Sequence, residues 1–342
     1  MDKLIVGRKK RVLVVGAGGF TGGWIVNEGL RRGYEMWAGV RESTSREWLG
    51  EKEINFLTLD FSQPESLQKS LESALPEGEK WDYIVYNLGA TKVMRYLDFS
   101  RINYDYLRYF TTALKNAGMT PDKFLYMSSL SAMGPVDEKG YAPFTEDMIP
   151  MPNTKYGASK LKAELWLEMD KIPYIIFRPT GIYGPRDKDY FLMFKSIAAG
   201  FDFSVGYRRQ LLTFIYVKDL AAAVYDALEH APVGEVYNIS ENRSYTQSEF
   251  RKIVGKLMNK KIVIPVRMPL WGVKWVSAIA EKIGVAQNKP STLNRDKYKI
   301  MKQRNWNVDI SKARRDFGFT PRVDLEQGVK ESLEWYKEQG WL

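Results

Sequence analysis

Val12-Leu13-Val14-Val15-Gly16-Ala17-Gly18-Gly19-Phe20-Thr21-Gly22-Gly23 is the stretch on which the fold turns. Four apolar residues with strand preference run into a cluster of glycines, and a helix-length segment, Gly22–Arg32, follows at once. Glycines at 16, 19 and 22 let the backbone turn tightly and approach a pyrophosphate, which then rests on the helix N-terminus beside Phe20 and Thr21. The spacing is GxxGxxG and not the GxGxxG of the best-known dinucleotide fingerprint. A plain tight turn is the alternative, and the strand before and helix after weigh against it.

Outward from this stretch the chain alternates. Strand-like runs fall at Val12–Val15, Glu35–Val40, Asn55–Leu59, Tyr83–Tyr86, Phe124–Met127 and Tyr174–Phe177. Between them lie helix-length segments, notably Pro64–Leu75, Asn103–Ala117 and Lys155–Met169. Short β-rich runs separated by helices predict parallel βαβ units, hence an α/β fold with a Rossmann-type doubly wound parallel sheet. From about Gly181 the pattern turns irregular and richer in Pro, Phe and Met, until a last helical stretch at Leu325–Glu338. The reading is a dinucleotide-binding domain over 1–180, with a returning segment near 214–240. A smaller α/β C-terminal substrate domain takes 181–213 and 241–342.

Composition narrows the chemistry. With 342 residues, 44% apolar and 27% charged, the chain is an ordinary globular mix able to bury one large core or two joined ones. No apolar run reaches the ~20 residues of a membrane span. The basic start, Met1 to Arg11, leads straight into a strand and glycines, so no signal peptide and a cytoplasmic enzyme are expected. There is no cysteine and one histidine, His230, so thiolate nucleophiles, a histidine triad and a metal centre are not expected. The charge of +10 is scattered and matches no nucleic-acid module, which leaves attraction for an anionic ligand such as a phosphorylated cofactor. A peripheral membrane contact stays open. Leu270 to Lys282 has apolar residues at helical spacing with lysines between them, read as a helix packed on the substrate domain. A lid over a lipid-like substrate and a membrane-surface contact are the alternatives.

Two further segments carry chemistry. After the second strand comes Ala38-Gly39-Val40-Arg41-Glu42-Ser43-Thr44-Ser45-Arg46. An NAD site offers a carboxylate to the ribose here, whereas an NADP site offers arginine to the 2′-phosphate. Val40 stands at the acidic position and Arg41 follows, which favours NADP(H) over NAD(H). Arg41 stacked on an adenine in an NAD enzyme is the other reading. Tyr156-Gly157-Ala158-Ser159-Lys160 places a phenol and an ammonium on one helix face, four residues apart. A lysine cation beside a tyrosine favours phenolate and lowers the phenol's pKa, which suits proton transfer.

With these residues in place the chain resembles the extended short-chain dehydrogenases/reductases along essentially its whole length, and motif by motif the hydroxysteroid dehydrogenase and dihydroflavonol reductase branch. The resemblance extends through Leu59-Asp60-Phe61, Asn87-Leu88-Gly89-Ala90, Asn103 and Met127-Ser128-Ser129-Leu130-Ser131-Ala132-Met133-Gly134. It continues in Arg178-Pro179-Thr180-Gly181-Ile182-Tyr183-Gly184-Pro185, Phe214 to Ala221, Val236 to Ser240 and Asp309 to Pro321. It implies that Asp60 and Phe61 meet the adenine, and that Asn87, Leu88 and Gly89 line the cofactor. Arg178, Pro179, Thr180 and Gly181 would wrap its nicotinamide side, and Asn103 would support Lys160 through a water. The family's catalytic hydroxyl lies five residues before the glycine closing its segment, which selects Ser129 beside Tyr156 and Lys160. Strand alternation places Ser131 on the same side as the runner-up. Lys92, Ser131, Met133, Tyr183, Arg208 and Arg209 are candidates for substrate contact, and a homodimer through Asn103–Ala117 and Lys155–Met169 is implied.

Among the family's reactions, dehydratases follow their threonine with Asp-Glu, but here Leu130 and Ser131 follow Ser129. The 3,5-epimerising members use a cysteine, which is absent. Two readings remain: an NADP(H)-dependent oxidoreductase interconverting a ketone and a secondary alcohol on a bulky, apolar small molecule, and a nucleotide-sugar 4-epimerase recycling bound NAD. Arg208 and Arg209 speak for the epimerase. A non-catalytic NADP-binding sensor is a third class, and its relatives lose the tyrosine or lysine that this chain keeps.

Overall fold

Burial on both faces explains why the decisive strand reads as an unbroken apolar run. Val12 and Val14 pack into one core and Leu13 and Val15 into another, on opposite sides of one sheet. The computed structural model describes residues 8–50, 53–287, 291 and 293–342. Its first half runs β1 (Arg11–Val15), α1 (Phe20–Arg31), β2 (Glu35–Val40), β3 (Ile54–Thr58), α2 (Pro64–Ala74) and β4 (Tyr83–Tyr86). Then come α3 (Leu97–Ser100), a π-helical turn (Arg101–Asp105), α4 (Tyr106–Asn116), β5 (Lys123–Met127), α5 (Lys155–Asp170) and β6 (Tyr174–Pro179). The second half runs β7 (Gly181–Tyr183), α6 (Asp189–Ala198), β8 (Phe201–Val205), β9 (Leu211–Tyr216), α7 (Val217–His230) and β10 (Glu235–Ile239). It ends with β11 (Ser244–Thr246), α8 (Gln247–Leu257), β12 (Ile264–Met268), α9 (Leu270–Ala286), α10 (Arg295–Lys302), α11 (Ser311–Phe317) and α12 (Leu325–Glu338).

Seven strands form the main sheet in the order β10-β6-β5-β4-β1-β2-β3, and every neighbouring pair is parallel. The expected doubly wound α/β sheet is therefore present. Its order reverses between β1 and β4, and the crevice beyond their C-terminal ends is where such sheets bind ligands. β10 closes the β6 edge, as the returning segment near 214–240 requires. The smaller sheet β11-β9-β7 supports a third core in which Phe194, Phe214, Phe250 and Tyr336 meet.

Three expectations need correction. Asn103–Ala117 is not one regular helix, because Asn103 lies in the π-helical turn that precedes α4. Residues 311–319, expected with 241–342 in the smaller domain, do not belong to the core of the smaller sheet. Phe317 stacks on Phe177 of β6 at 5.9 Å and meets Tyr237 of β10 edge-on at 5.1 Å, so α11 covers the main sheet. α9 packs through its small residues instead of its large apolar ones: Val273 and Ser277 are buried, while Trp271 and Trp275 are 71% and 67% exposed.

Candidate active site

The nucleotide end of the site follows from close approach. Gly16 sits at φ +84, and a Cβ on Gly22 would lie 2.2 Å from the Gly16 carbonyl oxygen, so only hydrogen fits where α1 meets the turn. Gly19 caps α1 without a side chain, and no acid stands in the first turn. The helix's free N–H groups and positive end are left for an anion. The β2–β3 loop folds over this turn, with the Thr44 methyl where a Gly18 side chain would be. Arg41 lies exposed in that loop, its backbone N–H donating to Thr44 Oγ1 at 3.1 Å. Asp60 is exposed and accepts from the Ser62 N–H at 2.9 Å, whereas Phe61 is buried and stacks on Tyr106 at 5.1 Å.

The other end, with the candidate catalytic residues, is built on α5. Thr154 caps it, accepting from the Gly157 N–H at 2.9 Å, and Tyr156, Lys160 and Glu164 then recur every four residues on one stripe. The Tyr156 phenol neighbours the Ser129 hydroxyl, and its ring rests 5.9 Å from Phe99. Burial raises the phenol above its ordinary pKa, and the nearby Ser129 hydroxyl opposes that shift. Lys160 Nζ donates to the Met127 carbonyl at 2.8 Å. Burial lowers its pKa to about 8, against an opposing pull from Glu164. A Cβ on Gly89 would lie 2.9 Å from Lys160 Nζ and 3.2 Å from Asn103 Oδ1, so the 87–90 segment passes directly over both. Asn103 is fully buried, accepts from the Ala90 N–H at 2.7 Å and donates to the Ala90 carbonyl and to Ser159 Oγ. The π turn thereby clamps the 87–90 segment to α5, a use such turns commonly serve at functional sites.

The remaining expected residues divide. Asn87 and Leu88 continue from β4 beside the glycine turn, the Asn87 N–H donating to Val15 O at 2.9 Å. Pro179 ends β6, and the Thr180 N–H bonds Ile239 O at 3.1 Å, so both lie at the sheet's C-terminal edge with Gly181. The Arg178 side chain is committed elsewhere: it is buried in an ion pair with Glu164 at 2.5 Å. Met133 and Tyr183 are not at a substrate surface, being 2% and 1% exposed in two different apolar cores. Apolar residues near a site belong to cores more often than to pockets, and these two do. Lys92 is paired with Asp189 at 2.5 Å, and Arg208 and Arg209 are exposed. The alternation argument for Ser131 fails because β5 ends at Met127 and residues 130–132 form a 3-10 turn, whose Ser131 N–H caps back onto Ser129 Oγ at 3.2 Å.

Four contributors escaped the sequence reading. Glu164 was visible as the third member of the Tyr156/Lys160 stripe, and Ser159 lies inside the quoted motif. Asp296, buried on α10, accepts the Tyr156 backbone N–H at 3.0 Å from 140 residues away, with no local pattern to reveal it. Arg186, in the left-handed region at φ 77, lies between the Trp24 and Trp48 rings at 4.3 and 4.9 Å, beside the first turns of α1.

A doubly wound parallel sheet with this glycine turn and a Tyr-Lys helix defines an NAD(P)-dependent enzyme of the short-chain dehydrogenase/reductase class. The model of the NAD dependent epimerase/dehydratase family matches residues 12–240, and the chain belongs to that family. Among characterised relatives it is 25% identical over 333 residues to the ceramide reductase of Caulobacter vibrioides, covering 97% of this chain and 96% of that one. It is 23% identical over 295 residues to the dTDP-D-glucose 4,6-dehydratase of Homo sapiens, covering 81% and 75%. Two solved structures share the fold. The UDP-glucose 4-epimerase of Thermotoga maritima with UDP-glucose superposes with TM-score 0.75 at 21% identity, covering 96% of this chain and 99% of that one. The dTDP-glucose 4,6-dehydratase of Bacillus anthracis in complex with NAD gives 0.76 at 19%, covering 97% and 98%.

Proposed function

We propose that this enzyme uses NADP(H) to reduce a ketone to a secondary alcohol on a bulky, lipid-class molecule, acting as a cytoplasmic homodimer. The observation carrying the reading is the Tyr156–Ser129 hydroxyl pair, followed by Leu130 and Ser131 where a dehydratase would need carboxylates. The end-to-end match to a ceramide reductase supports the lipid-class substrate. The residues fit a nicotinamide dinucleotide: a hydrogen-only contact at Gly22, an uncapped helix end, and a backbone passage over Lys160 that any side chain at Gly89 would block. When bound, that cofactor supplies the hydride equivalent that reduces the carbonyl. Tyr156 donates a proton to the carbonyl oxygen, and Ser129 hydrogen-bonds the same oxygen, stabilising its developing charge. Lys160 holds the ribose and its cation favours the phenolate left behind, while Asn103 fixes the 87–90 segment above it.

A turnover screen with NADPH tests the reading, setting long-chain ceramide-like ketones, sterol ketones and flavonoid ketones beside nucleotide sugars. Turnover of a lipid ketone supports it. Activity confined to nucleotide sugars with retained NAD supports the 4-epimerase in its place.

Cofactor preference rests on Arg41, exposed in the loop that covers the glycine turn. Arg41→Ala is expected to weaken NADPH by about 1.5–3 kcal/mol, the worth of a hydrogen bond to a charged group, and to leave NADH nearly unchanged. Titration calorimetry with both cofactors reads this, and equal losses for the two would refute the 2′-phosphate role. Assembly rests on α4 and α5. Met169 and Leu165 on α5 are 76% and 49% exposed, apolar surface that a partner's helices would cover. Light scattering is expected to give the dimer mass at micromolar concentration, and Leu165→Glu/Met169→Glu to give the monomer.

A further inference from the structure

α9 wears its amphipathicity inside out. Its inward side is made of buried Val273, Ser277 and Gly284 with half-buried Ala280, small residues apart from one valine, and the Ser277 hydroxyl is buried without a partner. The opposite arc carries Trp271, Trp275, Val276, Ile279 and Ile283, all exposed. At 3.6 residues per turn these five fall within less than half the helix circumference, and Lys282 stands among them. A helix facing only water reverses this arrangement. The exposed apolar character continues into β8–β12, where Phe201, Phe203 and Ile264 are exposed and Ile264 pairs with Phe201.

Charge selects the occupant. From Met258 to Gln287 there are five basic residues, Lys260, Lys261, Arg267, Lys274 and Lys282, all exposed, and one acid. That acid, Glu281, is turned inward, accepting from Tyr96 Oη at 2.7 Å and from the Arg295 N–H at 3.1 Å. Tryptophans and isoleucines with lysines interleaved are the chemistry of the zone between lipid headgroups and acyl chains. A second copy of this face would bring lysine against lysine, which penalises self-association. We infer that α9 is a docking helix that lays its Trp271–Ile283 arc into an anionic phospholipid bilayer surface. The inference needs no particular substrate. It does tie the docked surface to the chemistry, because Glu281 holds Arg295 and the adjacent Asp296 holds the Tyr156 N–H at the head of the catalytic helix.

Density-gradient flotation of the full chain tests it without any turnover. The protein is expected to float with vesicles of phosphatidylcholine and phosphatidylglycerol, to float far less with phosphatidylcholine alone, and to be released by high salt. Trp271→Glu/Trp275→Glu should cut partitioning by roughly tenfold or more, since it removes the inserted apolar area. Lys274→Glu/Lys282→Glu, which leaves the tryptophans in place, should abolish the preference for anionic vesicles. Circular dichroism and thermal melts confirm that both variants fold; should the tryptophan variant not fold, the lysine variant decides alone. Wild-type protein that ignores anionic vesicles overturns the inference. So does a tryptophan variant that floats as well as wild type, or one whose only change is a smaller mass by light scattering, which would make the occupant a second copy.

Discussion

Tyr156→Phe is expected to lower kcat for reduction by about 10²–10⁴-fold, the loss of a positioned general acid. NADPH affinity should stay close to wild type. The substitution removes one oxygen and leaves the ring against Phe99, so packing is preserved. Burial holds the phenol's pKa above its ordinary value, so at neutral pH the hydroxyl carries the proton that reduction consumes. Lys160→Met is expected to damage both turnover and cofactor affinity, because it removes the ammonium beneath the 87–90 segment that would hold the cofactor's ribose. Stopped-flow reduction and calorimetric titration separate the two effects. A Tyr156→Phe enzyme with near-normal turnover would move the acid role to another hydroxyl.

Glu164→Ala is expected to cost about 3–5 kcal/mol of stability, as breaking a buried pair from one side does. The carboxylate accepts from Arg178 Nη2 at 2.5 Å and Nε at 3.2 Å, and from Ser128 Oγ, with both charged residues under 5% exposed. Its removal strands a guanidinium in an apolar interior. The same carboxylate raises the pKa of Lys160, so its loss also weakens the lysine's hold on its proton. Glu164→Leu combined with Arg178→Met should recover most of the lost stability, since no uncompensated charge remains. Chemical denaturation compares the three proteins. A single-variant loss below about 1 kcal/mol, the worth of a surface pair, would show that the pair is not structural.

What was legible in the sequence was local. The strand–glycine–helix stretch carries its geometry within a dozen residues, because the same close approach that admits a pyrophosphate forbids side chains at fixed positions. Tyr156 and Lys160 are four apart on one helix, so their proximity follows from pitch alone. Where a reading assumed regular structure to continue, it failed. β5 stops before Ser129, so alternation does not carry to Ser131. The helix around Asn103 opens into a π turn, which no 3.6-residue periodicity reports. Contacts of long sequence separation were out of reach for a different reason: Asp296 reaches Tyr156 only because α10 is folded back onto α5. Tyr183 was misplaced toward a ligand because aromaticity marks a pocket and a core alike, and Arg178 because the family resemblance places a segment and not the partner of each side chain in it.

Phe317 and Phe319 complete the core beneath β6 and β10, although the strands they cover end at Pro179 and Ile239. A chain made from its N-terminus outward has α1 and α7 for this face of the sheet early, but leaves the Phe177–Tyr237 part without its Phe317 and Phe319 cover until residue 319 is made. The nucleotide-binding unit is first in the order of synthesis, yet its sealing waits for a segment made near the end of the chain. Contacts between residues so far apart in sequence form slowly and leave apolar surface open meanwhile. The reach of chain between the sheet and its late cover thus sets an interval in which apolar surface stands open to aggregation.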